Sequence, residues 1–256
     1  MTFPTTQWSL IAVASQDGDH AASQAMERLC SLYHPPVLAY FQSHVTEKAD
    51  AEDLTQELFR QFLHHKTWLR FDASKGRFRH FLLCIAGSAL KNWNRNRGAL
   101  KRGGGQPLQS FDLLVDAGLE PEAPPDGGEL AFDREWARTV VAEAWRLMEV
   151  AAARSSKRTA RFAVLRRFLP GGEAPPTYAD AAAALSTSVG HVKAYVHRLR
   201  EEFRGNVRWL IAATVPSSAE VTGEMAHLCA VMSAGHVPDP QPGGDSLSHS
   251  PADGLF

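Results

Sequence analysis

KGRFRHFLLCIAGSALKNWNRNRGALKR, Lys75 to Arg102, holds eight basic residues and no acidic one, in a chain of 256 residues whose formal net charge is only −1. Phe78, Phe81, Leu82, Ile85, Ala89 and Trp93 recur at helical spacing and predict one buried face. His80, Gly87, Lys91, Asn94 and Arg95 fall on the opposite side of the same wheel. Such a helix packs one side into a core and offers a basic, amide-bearing side to phosphates and base edges. A solvated basic surface without a partner would show the same charge run.

Charge elsewhere comes in blocks as well. Residues 112–135 are acidic, 154–167 are basic without a single acid, and 193–208 are basic again. Separated positive surfaces joined by an acidic connector suit a protein that touches a polyanion at more than one point. Cys30, Cys84 and Cys229 are isolated, so neither a disulfide framework nor a structural zinc site is indicated, and a reducing cytoplasm is the expected setting. The opening residues lack a basic start and a long apolar run, so neither a secretory signal nor a membrane span is expected.

Helical periodicity covers 22–45, 49–63 and 76–101, and strand alternation is missing, so the expected class is all-α. Gly103, Gly104 and Gly105, followed by Pro107, Pro121, Pro124 and Pro125, break that pattern. The organisation this predicts is a helical domain over 1–105, a flexible acidic Pro/Gly-rich linker over 106–132, a second helical domain over 133–215, and an amphipathic extension with a disordered tail over 216–256. In the second domain, Thr177 and Asp180 form a capping-box pattern before a short alanine-rich helix ending near Leu185. Ser186, Thr187 and Ser188 make a turn, and Ser188 caps a second helix with the stripe Val189, Val192, Val196, Leu199 and Phe203. Lys193, His197 and Arg198 lie off that stripe, with Tyr195 at its border. Two helices around so short a turn, the second basic outside, describe a helix-turn-helix.

Together these segments resemble a bacterial RNA polymerase sigma factor of the extracytoplasmic-function group. AEDLTQELF, Ala51 to Phe59, resembles region 2.2 of that family. The basic stretch with its glycine run resembles regions 2.3 and 2.4, and TYADAAAALSTSVGHVKAYVHRLREEFR resembles region 4.2. TTQWSLI, KRGGG and AEVTGEMAHL are similar to a planctomycete-like subgroup, and the resemblance runs over roughly residues 5–230. It implies a region 2 bundle and a region 4 helix-turn-helix, core RNA polymerase as partner through its β′ clamp helices and β flap, and promoter DNA as the second partner. An anti-sigma or other regulatory protein is a further partner class it leaves open. No enzyme activity, cofactor, small-molecule substrate or membrane partner is implied.

On this resemblance the polar stripe Asp53, Gln56, Glu57 and Arg60 faces the polymerase. Phe71, Lys75, Arg77, His80, Lys91, Asn94 and Arg95 engage the −10 element, the first two in a loop suited to holding an extruded base. Ser188, His191, Lys193, Tyr195, His197 and Arg198 engage the −35 element. The chain departs from the pattern at Ser186 and Val189, where such proteins commonly carry glycine and an acid, and at Ala194 and Tyr195 in the recognition helix. His64, His65 and His80 converge poorly on one ion, so no metal is expected. Without the resemblance, a stand-alone helix-turn-helix regulator is the alternative, and the second basic module at 75–102 argues against it.

Overall fold

The computed structural model describes residues 20–71, 77–101, 127–170, 174–215 and 218–234. Among them every regular element is helical, and the fold is all-α. The helices are α1 (His20–Gln42), α2 (Lys48–His64), α3 (Phe78–Lys101), α4 (Gly128–Ala153), α5 (Ser156–Leu165), α6 (Tyr178–Ala184), α7 (Val189–Ala212) and α8 (Ser218–Ala234). Short 3-10 turns occupy Thr67–Arg70 and Arg166–Phe168. The described residues fall into two compact units, one within 1–139 and 212–220, the other within 140–211 and 221–256.

The first unit is built on aromatic burial. Tyr33, Tyr40, Phe41, Phe62, Phe78, Phe132 and Trp136 are all less than 2% exposed. Phe78 stands among Tyr33 at 5.1 Å, Phe71 at 5.5 Å, Phe81 at 6.0 Å and Phe62 at 6.4 Å between ring centroids. Three of those pairs, with Tyr33, Phe71 and Phe62, are edge-to-face, the arrangement that ring quadrupoles favour. α1 runs straight through Pro35 and Pro36. An interior proline removes a helix hydrogen bond at a cost of about 3 kcal/mol. Burial of Tyr33, Val37, Tyr40 and Phe41 around the two prolines offsets that cost.

In α2 the buried set is Ala51, Thr55, Leu58, Phe59, Gln61 and Phe62. The helix's periodicity predicts a buried stripe of Leu54, Leu58, Phe59, Phe62 and Leu63, but Leu54 is half-buried and Leu63 exposed, and Thr55 takes a core position by donating its hydroxyl to the Ala51 carbonyl at 2.7 Å. A satisfied hydroxyl is tolerated in a core where a free one is not.

The connector from 102 to 126, with its glycines and prolines, lies outside the described residues. Its expected last residues are helical, because α4 begins at Gly128 and not near Asp133. Gly127, at φ 112°, turns the chain into α4 through backbone space that other residues rarely enter. A Cβ on Gly128 would sit 2.6 Å from the Tyr40 ring and collide with His44, so glycine is what lets α4 start hard against α1. α4 contributes its residues through Thr139 to the first unit and those from Val140 to the second.

The second unit has a core of Leu165, Phe168, Ala181, Ala182, Val192 and Val196, with Tyr178, Leu185, Tyr195 and Leu199 packed on it. Small residues on α6 let α7 approach closely. Thr177 caps α6 by accepting from the Asp180 N–H at 3.1 Å, and Ser188 caps α7 by accepting from His191 N–H at 3.3 Å. Val189, expected in the buried stripe, is 39% exposed, since as the first residue of α7 it precedes the turn that meets α6. α8 buries Val221, Met225 and Leu228 and leaves Met232 half-buried.

Between α6 and α7, Ser186 N–H donates to Ala183 O at 3.1 Å and Thr187 N–H to Ala182 O at 3.0 Å. Those paired bonds are a Schellman C-cap, and they force Ser186 to φ 48°. A left-handed residue with a Cβ costs about 1–2 kcal/mol, and glycine forfeits about 0.4–1 kcal/mol of that gain through the unfolded chain. Ser186→Gly therefore raises stability by about 0.5–1 kcal/mol. Urea unfolding followed by helical circular dichroism checks it, with Ser186→Ala as the variant that gains nothing.

Candidate nucleic-acid interface

α3 is divided along its length. Over Phe78–Leu90 it is buried nearly all round: Leu83, Cys84, Ala86, Gly87 and Leu90 join Phe78, Leu82, Ile85 and Ala89 inside. Gly87, expected on the basic face, is therefore a core residue, and only His80 of that face is exposed in these turns. From Lys91 onward the helix opens, and Lys91, Asn94 and Arg95 are exposed or half-exposed on neighbouring turns. Trp93, expected in the core, is half-buried, with the Arg97 guanidinium 4.9 Å from its ring centroid. Arg97 also bonds Asp50 of α2 at 3.2 Å, which pins this end of α3 to its neighbour.

The start of α3 poses an electrostatic problem. A helix N-terminus carries partial positive charge, yet α3 has no acid in its first turn and Arg79 sits within it. Asp133 of α4 supplies the missing negative charge, accepting from Arg79 Nη1 at 2.8 Å. Both side chains are only about one-seventh exposed, at 14% and 16%, so the pair is shielded from water and salt. Trp136 flanks the guanidinium at 5.9 Å, and Phe132 meets Tyr33 at 6.3 Å. Tyr40, whose hydroxyl is buried without a partner, has its pKa pushed up to about 12 by burial and then by the nearby Glu129. It stays neutral throughout the physiological range.

Among the residues expected to engage a melted strand, Phe71 is half-buried against Phe78 and Phe81, each at 5.5 Å, so packing is its observed role. Arg77 is half-buried, and Lys75 lies outside the described residues. On α2, Asp53, Gln56 and Arg60 are exposed and Glu57 is half-buried. Arg60 donates to both oxygens of Glu57, at 2.7 and 2.6 Å, and Gln61 donates to the same carboxylate. Arg60's hydrogen bonds hold the Glu57 carboxyl below its ordinary range. Glu57 thus braces its own helix, and the open part of the stripe is Asp53 with Gln56.

In the second unit, Ser188, His191, Lys193, His197 and Arg198 are exposed along the first turns of α7. Ser188 is a cap, as expected. His191 Nδ1 lies 3.2 Å from Thr187 Oγ1. Lys193 Nζ stands 5.7 Å from the ring centroid of Tyr178, itself stacked on Phe168 at 5.0 Å. Tyr195 is half-buried, with Arg198 at 4.9 Å and Arg161 of α5 at 3.9 Å from its ring centroid. The sequence singles out neither Arg161 nor Arg79. Arg161 belongs to the acid-free block 154–167, which is legible as a block, but nothing in helical periodicity pairs it with a ring on another helix.

No group of three or more His, Cys, Asp or Glu among the described residues is placed to hold a metal ion. No helix among them is long and apolar enough to cross a membrane.

Residues 29–99 match the family model Sigma-70 region 2. The match takes in α1 from Leu29, all of α2 and α3 as far as the exposed basic turns. This part of the chain is therefore similar to a Sigma-70 region 2 domain. No curated protein and no solved structure matches the chain.

The Arg79–Asp133 pair is testable by itself. Asp133→Asn keeps the shape but removes the carboxylate charge facing a shielded guanidinium, and breaking buried pairs costs up to about 3–5 kcal/mol. The expected result is a marked fall in melting temperature, largely recovered by Arg79→Met with Asp133→Leu, since two apolar groups leave no charge stranded. Differential scanning calorimetry of the three chains decides it.

Proposed function

We propose that this chain is an extracytoplasmic-function-type sigma factor acting in the cytoplasm. It binds core polymerase through the exposed Asp53 and Gln56 edge of α2, engages the −10 element through Lys91, Asn94 and Arg95, and reads the −35 element through a helix-turn-helix formed by α6 and α7. The observation that carries the reading is the region 2 match at 29–99, running into a helix whose outward residues are basic and amide-bearing where its core ends. Region 4 assignment of the second unit is supported by its capped short helix, the four-residue connection that follows it and the cations along α7. The factor performs no chemistry of its own; polymerase supplies the reaction.

For core binding, Asp53→Arg with Gln56→Ala alters exposed residues and leaves the Glu57, Arg60 and Gln61 bonds intact. Substitutions at such positions change stability by less than about 0.5 kcal/mol. Affinity for purified core polymerase, measured by fluorescence anisotropy of the labelled full-length chain, is expected to fall at least tenfold. Unaltered affinity in the folded variant removes α2 from the polymerase surface.

The division into two DNA-reading modules is read by footprinting holoenzyme on a promoter fragment selected from genomic DNA. Lys91→Ala with Arg95→Ala is expected to lose protection and permanganate-reactive opening around −10. Lys193→Ala with Arg198→Ala is expected to lose protection around −35, each interaction being worth about 1–3 kcal/mol where bidentate. Loss of the same single region in both variants would sink the division.

A further inference from the structure

Four arginines of the second unit are bonded to carboxylates. Arg158 is bonded to Glu202 at 2.5 Å, Arg146 to Glu143 at 2.6 Å, Arg204 to Glu201 at 2.6 Å and Arg166 to Glu149 at 3.5 Å. Arg161 and Arg198 are distinguished by a shared aromatic ring. They come from different helices, approach the same Tyr195 ring at 3.9 and 4.9 Å, and meet no carboxylate among the described residues. Two guanidiniums drawn to one ring repel each other unless an anion lies between or across them. Stacking on an aromatic face leaves a guanidinium's N–H edge open, and that edge is the one that bonds a phosphate bidentately.

We propose that Arg161 and Arg198, braced on Tyr195, form a clamp for a single backbone phosphate of duplex DNA, so that the DNA-binding surface of the second unit extends beyond the helix-turn-helix onto α5. Arg161 is the residue that makes it a clamp. The exposed Arg154 and Lys157 lie in the same acid-free run of α5 and the turn before it, which favours a long polyanion over a small anion. Tyr195 is a positioning residue: its ring is half-buried against the Val192 and Val196 core, and that footing holds both guanidiniums in place. The inference rests on the proposed −35 role of α7 and adds a phosphate site outside it.

The test uses holoenzyme reconstituted from the full-length chain and core polymerase, on the genomic promoter fragment. Arg161→Gln is expected to weaken binding about tenfold and to make the slope of log K against log salt shallower by about 0.9, as follows when one fewer phosphate is neutralised. Ethylation interference is expected to show one phosphate whose modification blocks the wild type and is indifferent to Arg161→Gln. Lys193→Gln reports on α7 independently of the clamp. If Lys193→Gln weakens binding while Arg161→Gln changes neither slope nor interference pattern, the clamp is overturned and the −35 reading stands. If neither variant differs from the wild type, both are overturned. Circular dichroism melting of Arg161→Gln confirms that the variant compared is folded, and Arg161→Lys, which keeps the charge without the fork, is expected to retain the salt slope and lose the single-phosphate interference.

Discussion

The ring of Phe78 is where the first unit is tied together. It is 1% exposed, opens α3, and meets rings from α1, from α2 and from the turn before it. Full burial of one such side chain contributes on the order of 1.5–3 kcal/mol, and its edge-to-face neighbours add about 0.5–1.5 kcal/mol each. The position of that ring matters more than the sum. Placed at the first residue of the basic helix, it fixes where α3 begins and in which direction the next residues point. Arg79, one residue on, is thereby committed to a shielded site, where Asp133 pairs with it. The packing of α3 on the first turns of α4 follows from that placement, helped by the glycine that lets α4 approach Tyr40.

Charge pairing gives the surface its meaning. Several arginines have a carboxylate: Arg60 with Glu57, Arg97 with Asp50, Arg79 with Asp133, Arg138 with Glu135, and four more in the second unit. These pairs neutralise charge locally, so a net charge near zero does not describe an evenly mixed surface. Other arginines have no such pair among the described residues. Arg161 and Arg198 are of that kind, and sharing one aromatic ring is a poor substitute for a counter-ion.

Much of this is legible from residue order, and the exceptions have physical causes. The spans of α2, α3, α6 and α7 can be read because strong 3.6-residue periodicity and clear caps, Thr177 and Ser188 among them, mark their faces and ends. Periodicity over 22–45 likewise carries α1 through Pro35 and Pro36, where tertiary burial outweighs the local penalty. The early start of α4 is hidden because glycines at 127 and 128 signal a loop unless the ring they must pass is known. Gly87 falls on the open side of α3 in a helical wheel because a wheel shows one buried face, whereas this helix is covered on two. The candidate DNA residues are recognisable as a chemical type. Which of them are exposed is not, because exposure is decided by neighbours far away in sequence.

This two-sided burial separates stability from recognition along a single helix. Between Phe78 and Leu90, almost every direction around α3 is occupied, so its orientation is set by packing and by one shielded ion pair. Beyond Leu90 the core lets go of one side, and Lys91, Asn94 and Arg95 project from a rod whose axis is already held. Long cationic side chains lose substantial rotamer entropy when they bind, so little can be gained from them if the backbone must also be ordered at that moment. Anchoring the first half removes the backbone part of that cost. The bond from Arg97 to Asp50 adds a second contact to α2 past the exposed turns that carry Lys91, Asn94 and Arg95.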